Sequence, residues 1–387
     1  MSGDLGYHAR VAGPDTAAER LKMKWSWKIA RIAGIDIYIH ATFLFLVYLA
    51  GVAYWNEQGT LAAVVTGVGF ILALFGCVVL HEYGHALTAR RYGIRTRNIT
   101  LFPIGGIASL EKMPDDPRQE IHVALAGPAV NFTIAVLIYV YLDVSGFHPG
   151  AQDFSVAGAP FLYRLMWVNL FIGGFNLLPA FPMDGGRVLR AALALRMDHA
   201  VATQKAASVG QFLAIGLGML GILYNPFLLF IAIFVWFGAS MENSAEQLKT
   251  ILSHATARHA MLSEFHSLSP EDTLAQAVEL TLTGSQKDFP VGYRNQLDKV
   301  LLHSDLIRGL QEKGQYARIS ELPLHDMPQV DIDEPLQNLL ERMQGNPAQM
   351  MCVSDSGQVL GLLNLENILE LIRIEQAVEA HRLSRRP

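Results

Sequence analysis

Two histidines and a glutamate stand together in "CVVLHEYGHALTAR", Cys77 to Arg90, at the end of a long apolar run. His81 and His85 are i and i+4, so on a helix both imidazoles project from one face about one turn apart, within reach of a single zinc ion. Glu82 sits beside the first histidine, placed to act as a base. A catalytic zinc takes three protein ligands and a water, whose pKa the metal lowers to about 7. The third ligand must come from elsewhere in the chain. Asp184 is the first choice, because it ends another apolar segment and is followed by Gly185 and Gly186, which let the backbone turn tightly. His122 and Asp143 are weaker candidates. An ionisable group inside a membrane costs about 2.5–3.5 kcal/mol on insertion scales and persists mainly where it has work to do.

The elements that must position these groups carry polar features of their own. In "NLLPAFPMDGGRV", Asn176 precedes Asp184 by eight residues, and Pro179 and Pro182 prevent a regular helix between them. Broken helix at membrane depth is tolerated only beside a cavity or other protein, which points to a substrate groove. Asn176 is a candidate to hydrogen-bond a substrate carbonyl or an oxyanion. "ITLFPIGGIASLEK", Ile99 to Lys112, is β-prone with a break at Gly105 and Gly106, and reads as a re-entrant strand whose open edge pairs with an extended peptide. "LAGPAVNF", Leu125 to Phe132, puts small residues where helices pack closely, with Asn131 as an interhelical bridge. His40 and Arg164 are expected near an interface or within the bundle.

Of 387 residues, 51% are hydrophobic and 17% charged, a charged fraction below that of ordinary soluble domains. Runs long enough to cross about 30 Å of hydrocarbon occur near residues 37–55, 61–88, 120–142, 161–180, 206–223 and 226–241. Basic residues mark cytoplasmic ends. Arg20, Lys22, Lys24, Lys28 and Arg31 precede the first run, Arg90, Arg91, Arg95, Arg97 and Lys112 follow the second, and Arg187, Arg190, Arg196 and Lys205 follow the fourth. The intervening linkers carry no Lys or Arg, so the pattern predicts six transmembrane helices with both termini cytoplasmic. Runs two and four then both end inside, which brings "HEYGH" and Asp184 to similar depth. The N-terminus lacks a signal-peptide pattern and reads as a flexible tail. Two cysteines, Cys77 and Cys352, read as buried free thiols facing a reducing cytoplasm. A net charge of −5 without a basic, aromatic-interleaved stripe excludes a nucleic-acid partner.

"HEYGH", "LAGPAVNF" and "NLLPAFPMDGGRV", in that order and on those runs, resemble the site-2 proteases, intramembrane zinc metalloproteases, over roughly residues 35–240. The resemblance implies that His81, His85 and Asp184 hold one zinc ion, that Glu82 activates water, and that Asn176 is the asparagine of the family's third motif. It also implies that a substrate helix must unwind before cleavage, which the strand-like Ile99 to Lys112 segment would serve. Where the family often has a proline two residues after the first, this chain has Phe181 and then Pro182, with Asp184 still in register.

The polar half repeats itself: "LSPEDTLAQAVELTLTGSQKDFPV" and "VDIDEPLQNLLERMQGNPAQMMCV" are offset by 62 residues, with Leu274 over Leu336 and Val291 over Val353. Each unit reads as an extended entry, an amphipathic helix, two short strands and a closing helix. This is similar to a pair of cystathionine β-synthase (CBS) motifs. That resemblance implies one α/β domain, an adenine nucleotide bound between the motifs with Asp305 as the surviving ribose contact, and dimerisation. The expectation is therefore a polytopic α-helical membrane protein with a C-terminal cytosolic α/β CBS pair. Its parts would be a tail at 1–34, a protease domain at 35–241, a linker at 242–260, the CBS pair at 261–375 and a tail at 376–387. The expected activity is zinc-dependent cleavage of a transmembrane protein substrate, such as a membrane-tethered regulator, in a prokaryotic inner membrane. The alternative is a metal-ion transporter using an intramembrane His/Asp site.

Overall fold

The computed structural model describes residues 25–384 apart from 104, 111–112, 115, 147–159, 285, 294–295 and 345. Most of the expected N-terminal tail, and Glu111 and Lys112 of the strand-like segment, lie outside the described residues. The chain forms two compact units that divide between Glu246 and Gln247.

The apolar unit starts with a hairpin that the sequence reading missed. β1 (Ser26–Ile32) and β2 (Ile35–His40) pair antiparallel, and β2 continues in parallel register with β3 (Thr96–Phe102), which pairs antiparallel with β4 (Gly105–Leu110). The order β1-β2-β3-β4 leaves β4 at an edge. "IDIYIH" alternates with period two, so Ile35 and Ile37 face inward and pack with Ile99 on Tyr83 and Ala86. Tyr83 also donates its hydroxyl to the Ile32 carbonyl at 2.9 Å. The sheet is thereby fastened to the turn of helix that carries "HEYGH".

Two helices make the crossover between β2 and β3. α1 (Ala41–Gln58) starts at His40, whose Nδ1 accepts from the Thr42 amide, and stops at Gly59 in left-handed conformation, φ 65°. α2 (Leu61–Arg91) is capped by the Thr60 hydroxyl and carries Arg90 and Arg91 in its last turn, where cations suit the helix dipole. α3 (Pro117–Val144) has Asp116 as its N-cap with Pro117 behind it. After α4 (Phe161–Asn176) come a short α5 (Asp184–Ala194), α6 (His199–Leu223) and α7 (Phe227–His254).

Among the described residues, four helices are long and apolar enough to cross a membrane: α2, α3, α6 and α7. The other two expected spans are shorter. α1 has 18 residues because residues 35–40 are strand, and α4 has 16 because Pro179 and Pro182 cannot extend it past Asn176. Apolar side chains stand outward, with Phe212, Ile222 and Phe230 all more than 70% exposed, as suits lipid contact. Arg164 sets its guanidinium over the Phe70 ring at 4.8 Å.

The polar unit contains two three-stranded sheets, β5-β6-β7 and β10-β9-β8. In chain order its elements are α8 (Ala257–Ala260), α9 (Leu274–Thr283), β5 (Phe289–Tyr293), β6 (Gln296–Leu301), α10 (His303–Lys313) and β7 (His325–Asp326). β8 (Gln329–Asp331), α11 (Leu336–Gln344), β9 (Met350–Asp355), β10 (Gln358–Asn364) and α12 (Leu365–Ser384) follow. The internal repeat is structural. Val330 pairs in parallel with Val353, and Leu268 forms the corresponding parallel bridge to Val291. Leu274 and Val291 belong to one buried core, Leu336 and Val353 to its counterpart. Residues 242–260 are largely helix, since α7 reaches His254, and α12 runs on to Ser384. Both cysteines are free and buried, and burial pushes the Cys352 thiol up to about 11.

Candidate metal centre

His81 and His85 project from the last turns of α2 with ring planes 81° apart and Nε2 atoms separated by 3.1 Å. α3 crosses directly in front of them at Gly127. A Cβ there would stand 2.2 Å from His85 Nε2 and 2.7 Å from His81 Nε2, so only the missing side chain keeps the space before both nitrogens clear. Asp184 comes from the first turn of α5, where the helix dipole favours a carboxylate. Gly185 and Gly186 serve differently from the expectation. Neither has a positive φ; a Cβ on either would strike the backbone of residues 177–181 at 2.3–2.6 Å, so they let the loop fold against its own helix.

Asp184 Oδ2 lies 3.2 Å from each histidine Nε2. A tetrahedral ion with bonds of about 2.0–2.1 Å has edges of about 3.3–3.4 Å, close to this triangle. The hydrogen bonds fix what the three atoms present to one another. His85 Nδ1 donates to the Val123 carbonyl at 2.8 Å, and His81 Nδ1 meets Asn131 Oδ1 at 2.5 Å. In the neutral rings the proton is therefore on Nδ1, and each Nε2 offers a lone pair. Asp184 Oδ2, itself buried without a hydrogen-bond partner, adds a third. Three converging lone pairs repel unless a cation lies among them, so the donor set fits zinc. Among the described residues this is one trio of His, Cys, Asp or Glu side chains that can close on an ion.

The remaining predicted site residues fall into four groups. Glu82 is half-buried next to the trio and feels the charges of His85, His81, Asp184 and Arg187. Gly106, on edge strand β4, lies over it: a Cβ at 106 would come within 2.9 Å of Glu82 Cγ. Gly105, with φ 140°, opens the same strand. Asn176 stands apart, its amide donating to Ile172 of its own helix at 3.0 Å. His122 and Asp143 do not join the trio: His122 Nδ1 bonds the Tyr92 hydroxyl at 3.0 Å, and Asp143 is exposed near the far end of α3. In the polar unit, Asp305 is buried and already engaged by His325 Nε2 at 2.8 Å, with Arg308 at 3.6 Å.

A second buried cluster escaped sequence reasoning. Arg190 of α5 donates to Glu120 of α3 at 2.9 Å and to Glu242 of α7 at 2.6 Å. His199, opening α6, bonds Glu246 of α7 at 2.9 Å and approaches Glu120 at 3.6 Å. This network ties the helix bearing Asp184 to the helix bearing Gly127. The available signal was slight, since Glu120 stands in "PRQEIHVALAG" beside other polar residues at the start of an apolar run.

Comparison with known proteins identifies the family. The model of peptidase family M50 matches residues 69–157 and 151–221, and that of the CBS domain matches residues 319–374. A zinc metalloprotease of Methanocaldococcus jannaschii is 32% identical over 359 residues, covering 92% of this chain and 99% of the relative. The putative zinc metalloprotease Rip3 of Mycobacterium tuberculosis is 28% identical over 374 residues, covering 89% and 92%. Among solved structures, the site-2 protease from Methanocaldococcus jannaschii shares 38% identity and covers 57% of this chain and 95% of its own, with a TM-score of 0.42. The transporter alternative is not favoured by these relatives. The chain belongs to the M50 family of site-2 zinc metalloproteases and carries a CBS domain.

Proposed function

We propose that this enzyme hydrolyses a peptide bond in or near a transmembrane segment of another membrane protein, near the cytoplasmic side. His81, His85 and Asp184 hold one zinc ion, and Glu82 is the general base. The observation that carries this reading is the convergence of three lone pairs on a space that Gly127 keeps clear within an apolar helix unit. Bound there, zinc supplies Lewis acidity toward the scissile carbonyl and lowers the pKa of a water to about 7. Glu82 accepts the attacking water's proton at its carboxylate and returns it to the leaving amide nitrogen.

Substrate must arrive extended, because a helix hides its backbone amides. The free edge of β4 offers backbone partners beside Glu82, and Gly105 and Gly106 add no side chain that would hold a strand away. Asn176 is free to turn to a substrate carbonyl, since Ile172, its present partner, is a carbonyl within the same helix. The six apolar segments cross a prokaryotic inner membrane with both termini cytoplasmic, the shorter α1 and α4 among them. The CBS pair regulates or dimerises the enzyme. An adenine nucleotide using Asp305 would have to displace His325 from it.

The test is cleavage of single-span host membrane proteins co-reconstituted in liposomes with the full chain, with products mapped by mass spectrometry. The expected cut lies in the cytoplasmic half of the apolar segment and disappears with a zinc chelator. Zinc-loaded protein that leaves every substrate whole while passing zinc through the vesicle wall would overturn the reading in favour of transport.

A further inference from the structure

The hydrogen bond that sets the His81 ring does not end at Asn131. Asn131 Nδ2 donates to Asn169 Oδ1 at 2.9 Å, and Asn169 Nδ2 donates to the Leu165 carbonyl at 2.8 Å. Asn131 and Asn169 are fully buried and His81 is 5% exposed, so bulk water does not compete along the chain.

The direction of every link follows from the last one. A backbone carbonyl only accepts, so the amide nitrogen of Asn169 must face Leu165 and its oxygen must face Asn131. Asn131 then has to present its nitrogen to Asn169 and its oxygen to His81. A carbonyl oxygen at His81 Nδ1 requires a proton there, which leaves Nε2 with the lone pair aimed at Asp184 and His85. We infer that Asn169, a residue of α4 distant from the site in sequence, is a positioning residue that fixes the His81 tautomer through Asn131 and thereby tunes zinc affinity. The inference rests on the proposed ligand role of His81, and it gives α4 a part in the centre that Asn176 does not explain.

Without Asn169, the Asn131 amide loses what orients it. Turned over, it offers N–H to His81 Nδ1 and drives the proton to Nε2, where a metal must bind. Asn169→Leu therefore lowers zinc affinity by about 10- to 100-fold, the range for partners that orient metal-bound histidines. Asn169→Asp behaves differently. As a neutral carboxyl it donates O–H to Leu165 and accepts from Asn131; as a carboxylate it still accepts from Asn131. The orientation of Asn131 survives in both forms, and affinity stays near that of the unaltered chain.

Two readouts on the full chain in detergent decide the matter. Zinc affinity is measured by competition with a chromophoric chelator. The His81 tautomer is read from ¹⁵N shifts of the metal-free, histidine-labelled chain, with the signal assigned by its loss in His81→Ala. The expected result is an Nδ1–H ring in the unaltered chain and in Asn169→Asp, and a mixed or Nε2–H ring with weakened zinc in Asn169→Leu. Should the leucine variant fail to fold, Asn169→Ala carries the same expectation. Unchanged tautomer and affinity in the leucine or alanine variant would overturn the inference, as would equal loss in the aspartate variant. An unaltered chain that binds no zinc would instead sink the metal assignment, while the tautomer readout would still decide the relay.

Discussion

Gly127→Ala is the substitution for which the geometry gives the firmest magnitude. On the existing backbone the new methyl carbon lies 2.2 Å from His85 Nε2, 2.5 Å from its Cε1 and 2.7 Å from His81 Nε2. Non-bonded heavy atoms settle near about 3.5 Å, so α2 and α3 must part by roughly an ångström. The rings cannot swing aside instead. Val123 and Asn131, which hold their Nδ1 atoms, lie on the same helix as Gly127, one turn to either side. Zinc sites tolerate errors of only about 0.2 Å in ligand distance. A loss of at least about 100-fold in zinc affinity is therefore expected, equivalent to about 2.7 kcal/mol. The assay is zinc per chain by mass spectrometry after equilibration at buffered free zinc, with far-UV circular dichroism to show that the helices persist. One zinc per chain at unaltered affinity would refute the claim that α3 keeps the space open for metal.

Other positions separate chemistry from architecture. Gly106→Val places a branched side chain against Glu82 and Val78, where a Cβ already comes within 2.9 and 3.2 Å. Turnover should fall by about 10²-fold, the scale of a displaced general base, with zinc content unchanged; loss of zinc would show that β4 shapes the metal site instead. Arg190→Met takes the closer cation from buried Glu120, leaving it His199 at 3.6 Å, and should cost about 3 kcal/mol in unfolding in detergent. The double variant Glu120→Leu, Arg190→Met should recover most of that loss, and simple additivity of the two single effects would contradict the pairing.

Much of the centre was legible because its signals are local. The i, i+4 spacing of His81 and His85 is a property of one helix, and the alternation of basic linkers brought Asp184 to the same side. The hairpin was hidden by overlap: "IDIYIH" alternates as a strand should, yet its isoleucines fall inside the apolar window that continues into α1. Glu120 and Arg190 were masked by the rule that located the spans, since charges near span ends read as boundary markers rather than as partners for each other. Asn169 was harder still. Its partner Asn131 is 38 residues away on another helix, and small residues in "LAGPAVNF" announced close packing without saying onto what. The repeat in the polar half was readable because one offset aligned both its core residues and its strands.

The central claim is that Glu82 moves the proton while His81, His85 and Asp184 hold the metal, and Glu82→Gln tests both halves in one preparation. The variant and the unaltered chain are reconstituted side by side, and zinc content and cleavage are read from the same vesicles. One zinc per chain is expected in each, with cleavage only in the unaltered enzyme. Full cleavage by the glutamine variant, or loss of its zinc, would contradict the claim.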